Sequence, residues 1–204
     1  MTILKPKAPE GGSELLGQYL GEILNRDSSI VGGATKSFAA KPIATSQPIR
    51  VFSVNFDDIK GPDFLDHTYP VGWRYFVVKD GEPVVADIDI VGSRKKFGRV
   101  TKGAFAERLL DAAYSAENLY GRSADSFEPR ILEIPALYVV AVWLHGPKDV
   151  FIPAPETTAG AKVFVDEDQD FLMRVVGLAT RKRAEIEEIQ AKPASRPRPE
   201  PSTY

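Results

Sequence analysis

Four aspartates and a histidine lie close together in the sequence, and they are the side chains best placed to carry chemistry. They are Asp57, Asp58, Asp63, Asp66 and His67. Clustered carboxylates bind hard cations and shift each other's pKa for acid–base work. Their spacing matches no coordination motif, and Gly61-Pro62 indicates a turn-rich connection. A small metal-assisted hydrolase that uses the acidic loop from Asp57 to His67 is therefore an alternative hypothesis, with no catalytic residue or metal ligand assigned.

A run of basic residues is the second candidate site. Its members are Arg94, Lys95, Lys96, Arg99 and Lys102. No acid interrupts the run, and it leads into a helix predicted to begin at Thr101, whose unpaired amide groups would add to the attraction for anions. A nucleic-acid groove needs a wider basic stripe and more stacking residues than Phe97 alone. The run therefore predicts a site for phosphate or another anion, with nucleic-acid binding as the less favoured form.

The other candidates for catalysis have simpler structural roles. Asp87 and Asp89 alternate along one predicted strand, but Arg74 is the predicted partner of Asp87. His67 and His145 lie in different loops, with no serine or carboxylate at a spacing that defines a triad or a metal motif. The chain has no cysteine, which excludes thiolate nucleophiles and thiolate metal sites. No cofactor is predicted.

The most detailed structural prediction is a β-hairpin from Trp73 to Val91. Its turn is Asp80-Gly81, a dipeptide that readily takes the positive φ values of a type I′ turn. Placing Lys79 opposite Glu82 fixes the register of every pair outward from the turn. The pairs are Val77 with Val84, Tyr75 with Ala86 and Trp73 with Ile88 on one face, and Arg74 with Asp87 on the other. Apolar residues then meet apolar residues, and a positive charge meets a negative one.

Hydrophobic periodicity predicts the other elements of the main domain. They are a half-buried strand from Ile49 to Asp58, a helix from Thr101 to Tyr120, a strand pair from Ile131 to Leu144 and Val150 to Ile152, and a final helix from Asp166. The run from Ala136 to Leu144 indicates a strand buried on both faces. The predicted fold class is α+β: an antiparallel sheet of about five strands, packed by one or two helices, with an N-terminal amphipathic helix on a linker.

The two ends of the chain are predicted to lie outside the core. Residues 1–25 contain the amphipathic helix, 26–48 form a flexible linker, 49–192 form the core domain with its C-terminal helix, and 193–204 form a Pro-rich disordered tail. Each helical end offers an apolar stripe for a partner. The predicted partner-binding residues are Leu16, Tyr19, Leu20 and Ile23 in the first helix, and Ile186 and Ile189 in the last.

Composition limits the other classes of function. A net charge of -2 and a pI of about 5.8 give no general attraction to nucleic acid or anionic membranes. No stretch approaches the ~20 apolar residues of a membrane span, and Met1 to Gly12 has no apolar run of the signal-peptide type. We therefore expect a cytoplasmic, non-catalytic interaction or assembly component. Its predicted partner is another protein or a further copy of the chain, with no membrane partner.

Overall fold

The structure is a computed structural model that describes residues 8–19, 44–45, 47–79, 82–121, 123–154 and 166–191. The strands are β1 (Ala44–Thr45), β2 (Ile49–Ser53), β3 (Tyr69–Lys79), β4 (Glu82–Val91), β5 (Arg94–Lys102), β6 (Glu128–Ile134), β7 (Val139–His145), β8 (Val150–Pro153) and β9 (Asp166–Glu167). The helices are α1 over residues 12–19, α2 (Ala104–Tyr120) and α3 (Asp168–Ala191). Short 3₁₀ turns occupy Phe56–Asp58, Pro62–His67 and Pro135–Leu137.

The α+β class is confirmed, but the sheet is larger and its pairing more varied than predicted. Among the described residues, seven strands of four or more residues and two of two residues replace the expected five. The order is β5-β4-β3-β2-β6-β7-β8-β9, with β1 pairing with β3. The β2 and β6 strands run parallel, with Arg50 opposite Arg130. Parallel strands need a long crossover between them, so no local pattern could predict this pair.

The predicted hairpin register is confirmed. The β3 and β4 strands pair Lys79 with Glu82 and Arg74 with Asp87, and the three predicted apolar pairs are also formed. The predicted turn, residues 80 and 81, lies outside the described residues. The register could be predicted because a shift of one residue would place every apolar side chain of the hairpin on the wrong face of the sheet.

The basic run forms a strand that the sequence pattern does not predict. Arg94–Lys102 is a strand, β5, that pairs with β4 at the edge of the sheet. Most of its residues are exposed, so the strand lacks the apolar alternation that reveals a half-buried one. The following helix begins at Ala104 rather than Thr101, after Gly103 at φ 75°. That positive φ favours glycine and ends the strand.

The segment from Ile131 to Leu144 holds parts of two strands rather than one. A 3₁₀ turn at Pro135–Leu137 separates them, and Tyr138 follows in the left-handed region at φ 54°. The β6 and β7 strands are therefore antiparallel neighbours. Two-sided burial holds for the second half of β7, because Val142 belongs to the cluster under α2 and Trp143 to the cluster under α3.

Two further boundaries differ from the predictions. The first core strand ends at Ser53, and the chain then forms the turn at Phe56–Asp58. The last helix begins at Asp168, because Asp166–Glu167 pairs with β8 at the edge of the sheet. Local turn hydrogen bonds, such as that from Asp58 N to Asn55 O, follow the end of the strand, whereas pairing with β8 delays the start of the helix.

Helices cover both faces of the sheet. One face packs against α2 through its buried residues Ala106, Leu109, Ala112 and Ala116. On the other face, α3 covers a cluster that includes Phe151 and Phe171, and α1 covers one that includes Trp73 and Tyr75. The first helix thus docks on the chain's own sheet. Of the predicted linker, residues 44–45 pair with β3, while residues 26–43 and the tail 193–204 lie outside the described residues.

Candidate functional site

Two arginines and two carboxylates form a closed ring of ion pairs on the α2 face of the sheet. They are Arg74 on β3, Asp87 on β4, Arg99 on β5 and Glu133 on β6. Arg74 donates to Asp87 from Nε and Nη2 at 2.7 and 2.8 Å, and to Glu133 from Nη2 at 2.8 Å. Arg99 donates to Asp87 from Nε at 2.8 Å and to Glu133 from Nη2 at 2.5 Å. Each arginine contacts both carboxylates, so the four charges cancel within the ring.

A β-bulge brings Arg99 into this ring. The register pairs on either side of the bulge are Ala86–Val100 and Ile88–Phe97. Gly98 and Arg99 therefore both lie opposite the single residue Asp87. The extra residue reverses the alternation of β5. Phe97 packs against the α1 cluster, while Arg99, two positions later, points to the opposite face.

The ring is buried at one end and open at the other. The side chain of Arg74 is 1% exposed and that of Asp87 is 8% exposed, whereas that of Arg99 is 52% exposed. Burial disfavours the charged guanidinium, but the hydrogen bond and charge of Asp87, with the charge of Glu133, raise the pKa of Arg74 above its ordinary value. Arg74 is therefore held in one charged, oriented state, which suits it to positioning other groups.

A cleft of about 360 Å³ is lined by the ring together with Asp89. Its other walls are formed by Val51, Ser53, Val71, Gly72, Trp73, Gly98 and Pro135. The carboxylate of Asp89 lies against the backbone of Gly98, where an added Cβ would come within 2.6 Å of both carboxylate oxygens. A side chain at position 98 would displace the Asp89 carboxylate from its place in the cleft.

Asp89 is the carboxylate of the cleft that the ring does not neutralise. Burial raises the pKa of Asp89, and the charge of Asp87 raises it further, with Arg99 opposing the effect. Asp87 and Asp89 do project from one face of the sheet, as their alternation predicts. Within the described residues, no hydrogen bond or ion pair holds the Asp89 carboxylate. The cleft can therefore offer a hydrogen-bond acceptor or a cation partner, while its arginines remain occupied.

The acidic loop does not come together as a metal site. Its aspartates and histidine lie in two separate 3₁₀ turns, Phe56–Asp58 and Pro62–His67. Asp58 Oδ2 accepts a hydrogen bond from Asn55 Nδ2 at 3.0 Å, which gives it a local structural role. Across the part of the chain that the structure describes, no group of three or more His, Cys, Asp or Glu side chains is placed to hold a metal ion.

The basic residues of β5 are spread along an edge strand. Arg99 belongs to the ring, and Lys95 Nζ donates to the backbone oxygen of Glu10. Arg94 and Lys96 are exposed near the end of the β4–β5 hairpin, and Lys102 lies at the other end of the strand. Charges on an edge strand also oppose pairing with other chains. The anion site built from these five residues stays a prediction.

The predicted partner-binding residues fall into two groups. In α1, Leu16 is 1% exposed within the chain's own core, and Tyr19 stacks on Phe97 with ring centroids 4.9 Å apart. Leu20 and Ile23 lie outside the described residues. Tyr19 is still 38% exposed, and in α3 Ile186 and Ile189 are 37% and 71% exposed. Among the described members of the set, Ile189 is thus the most exposed and Leu16 the most buried.

Glu133 is the ring member that sequence reasoning missed. It is the only acid between Ile131 and Ile134, which are both fully buried apolar residues. A lone charge inside an apolar strand indicates a buried partner, because an unpaired buried charge is costly. That signal identifies the residue but not its two arginines, which lie on strands distant in sequence.

No helix within the described ranges is long and apolar enough to cross a membrane. Comparisons of the chain with protein-family models, with curated proteins and with solved structures find no match.

Proposed function

We propose that this protein is a non-catalytic interaction component that binds a partner protein through the C-terminal part of α3. The observation that carries the proposal is the exposure of every residue from 184 to 191, including Ile186 and Ile189. Eight helical residues extend about 12 Å at 1.5 Å per residue. A helix that continues this far with apolar residues exposed can bury them against another surface.

Arg183 marks the point at which α3 leaves the body of the protein. Its Nη2 donates to the backbone oxygens of Phe56 and Ile59, both at 2.8 Å, and its guanidinium lies 4.9 Å from the centre of the Phe56 ring. Ala179, four residues earlier, is fully buried. Helical spacing places Ile186 in line with Ala179 and Arg183. The exposed stripe is therefore a continuation of the face that packs on the sheet.

The charge of this segment indicates the kind of partner. Residues 184–191 contain three glutamates and no lysine or arginine. A groove with an apolar floor and a basic rim would complement them. The hydrolase alternative gains no support from the described positions of Asp57 to His67. The anion alternative at Arg94 to Lys102 stays a prediction.

Partner binding is tested with the full chain and two surface variants. The first variant is Ile186→Glu/Ile189→Glu, and the matched control is Leu119→Glu, which changes a 58% exposed residue on α2. We expect co-purifying proteins identified with the unmodified chain to fall at least about ten-fold with the first variant and to persist with the control. Sedimentation of the same three proteins shows whether the partner is a second copy.

Equal partner profiles for the two variants, with no change in self-association, would rule out this use of α3. Deletion of residues 1–48 is a poorer test than substitution. It removes Leu16 from the cluster that contains Trp73 and Tyr75, so a lost interaction would be confounded with a damaged core.

A further inference from the structure

We propose that Arg50 and Arg130 form a binding site for a small oxyanion, a phosphate or carboxylate group. The site lies on the sheet face opposite the ion-pair ring, between the parts covered by α1 and α3. It is separate from the predicted basic run on β5 and independent of the α3 surface.

The parallel pairing of β2 and β6 places the two arginines side by side. Arg50 and Arg130 are direct register partners, so their side chains leave the same face of strands about 4.8 Å apart. Like charges directly opposite each other on a sheet are destabilising. An anion between the two guanidinium groups would convert this repulsion into two attractions.

Aromatic rings hold both guanidinium groups in place. Arg50 Cζ lies 5.4 Å from the centre of the Trp73 ring, and Arg130 Cζ lies 4.8 Å from that of Trp143. Both also contact Phe52, at 5.7 and 4.7 Å. The three rings are buried, so they form a floor for the arginines. Stacking orients the flat groups before a ligand arrives, which lowers the entropy cost of binding.

The positive charge of this pair is only half neutralised. Arg130 Nη2 donates to Glu128 Oε2 at 2.8 Å, but no ion pair between described residues involves Arg50. The nearby Asp149 is engaged by His145, whose Nδ1 lies 2.9 Å from its Oδ1. The described ion pairs therefore neutralise Arg130 and leave the charge of Arg50 without a carboxylate partner.

The arginines can also be reached by a ligand. The side chain of Arg130 is 17% exposed, and Arg50 is half-buried. In each residue Nε is buried without a hydrogen-bond partner among the described atoms. The terminal nitrogens of Arg50 are not in that buried state, so they are the donors that a ligand meets first. Paired, planar donors of this kind suit the oxygens of phosphate and carboxylate.

Calorimetric titration of the full chain with inorganic phosphate tests the proposal. Sodium acetate replaces phosphate in a second series, to distinguish a phosphate site from a carboxylate site, and sodium chloride keeps the ionic strength constant. We expect saturable binding of at least one oxyanion. Arg50→Gln should weaken it at least ten-fold, while Arg94→Gln, an exposed residue of the β5 run, should leave it unchanged.

Glu128→Gln provides a test that does not depend on losing a cation. It releases Arg130 from its carboxylate, so binding should tighten several-fold, which a purely structural role would not produce. Absence of saturable binding to both oxyanions would overturn the proposal. So would loss of binding in Arg94→Gln but not Arg50→Gln, because the site would then be the edge strand. Equal affinity in all variants would also overturn it.

Discussion

Two pairs of arginines lie on opposite faces of the same sheet, and they are stabilised in different ways. On the α2 face, Arg74 and Arg99 share two carboxylates in a closed ring of hydrogen-bonded ion pairs. On the other face, Arg50 and Arg130 lie on aromatic rings, and the one carboxylate, that of Glu128, is bound to Arg130 alone. The first pair has its charge cancelled by the protein itself. The second retains charge that an external ligand can complement.

The difference shows how burial determines what an arginine can do. The side chain of Arg74 is 1% exposed, so its guanidinium has lost its contacts with water. Ion pairs within the fold must compensate for the free energy of that desolvation. Arg50 keeps contact with solvent, so ring stacking suffices to hold it. The ring is therefore expected to contribute to stability and positioning, and the stacked pair to recognition.

Removing Asp87 should give the largest effect on stability. The Asp87→Ala variant leaves Arg74 buried with only Glu133, so we expect the free energy of unfolding to fall by about 3–5 kcal/mol. Urea unfolding measures the change, with Asp111→Ala on the exposed side of α2 as the control. A loss below about 1 kcal/mol, the range of a surface ion pair, would remove the contrast between the two arginine pairs.

Removing a stacked arginine should lower the stability of the protein much less. Arg50→Gln loses ring contacts but leaves no buried charge unpaired, so we expect the free energy of unfolding to fall by only about 0.5–1 kcal/mol. The same urea experiment provides the comparison with Asp87→Ala. If the two variants lose equal stability, Arg50 is a structural residue and the distinction between the faces fails.

Replacing Asp89 should have the smallest effect on stability, and this substitution should stabilise the protein. Its pKa is raised in the folded state, so the folded protein binds more protons than the unfolded chain between the ordinary value of 3.8 and the raised one. Stability is therefore lost as pH rises through this interval. Asp89→Asn should be more stable than the unmodified protein at neutral pH, and urea curves at several pH values should show the advantage disappearing at low pH. A variant that is less stable at neutral pH would contradict the assignment.

Local patterns predicted those parts of the fold whose contacts are close in sequence. The register of β3 and β4, and with it the Arg74–Asp87 pair, followed from alternation across a short turn. The α2 helix followed from helical spacing, although it begins at Ala104, three residues after the predicted start. The same reasoning failed at β5, because its mostly exposed and largely basic residues show no hydrophobic periodicity.

The α+β class, the hairpin and its buried ion pair were thus determined by the sequence alone, since apolar periodicity and nearby charges suffice for them. Tertiary structure decided the contacts between distant strands. The parallel pairing of β2 with β6 brings Arg50 to Arg130, and the bulge in β5 turns Arg99 towards Asp87. Such contacts depend on chain crossover and sheet order, for which a single sequence carries no local signal. Both arginine groups are consequently products of the assembled sheet.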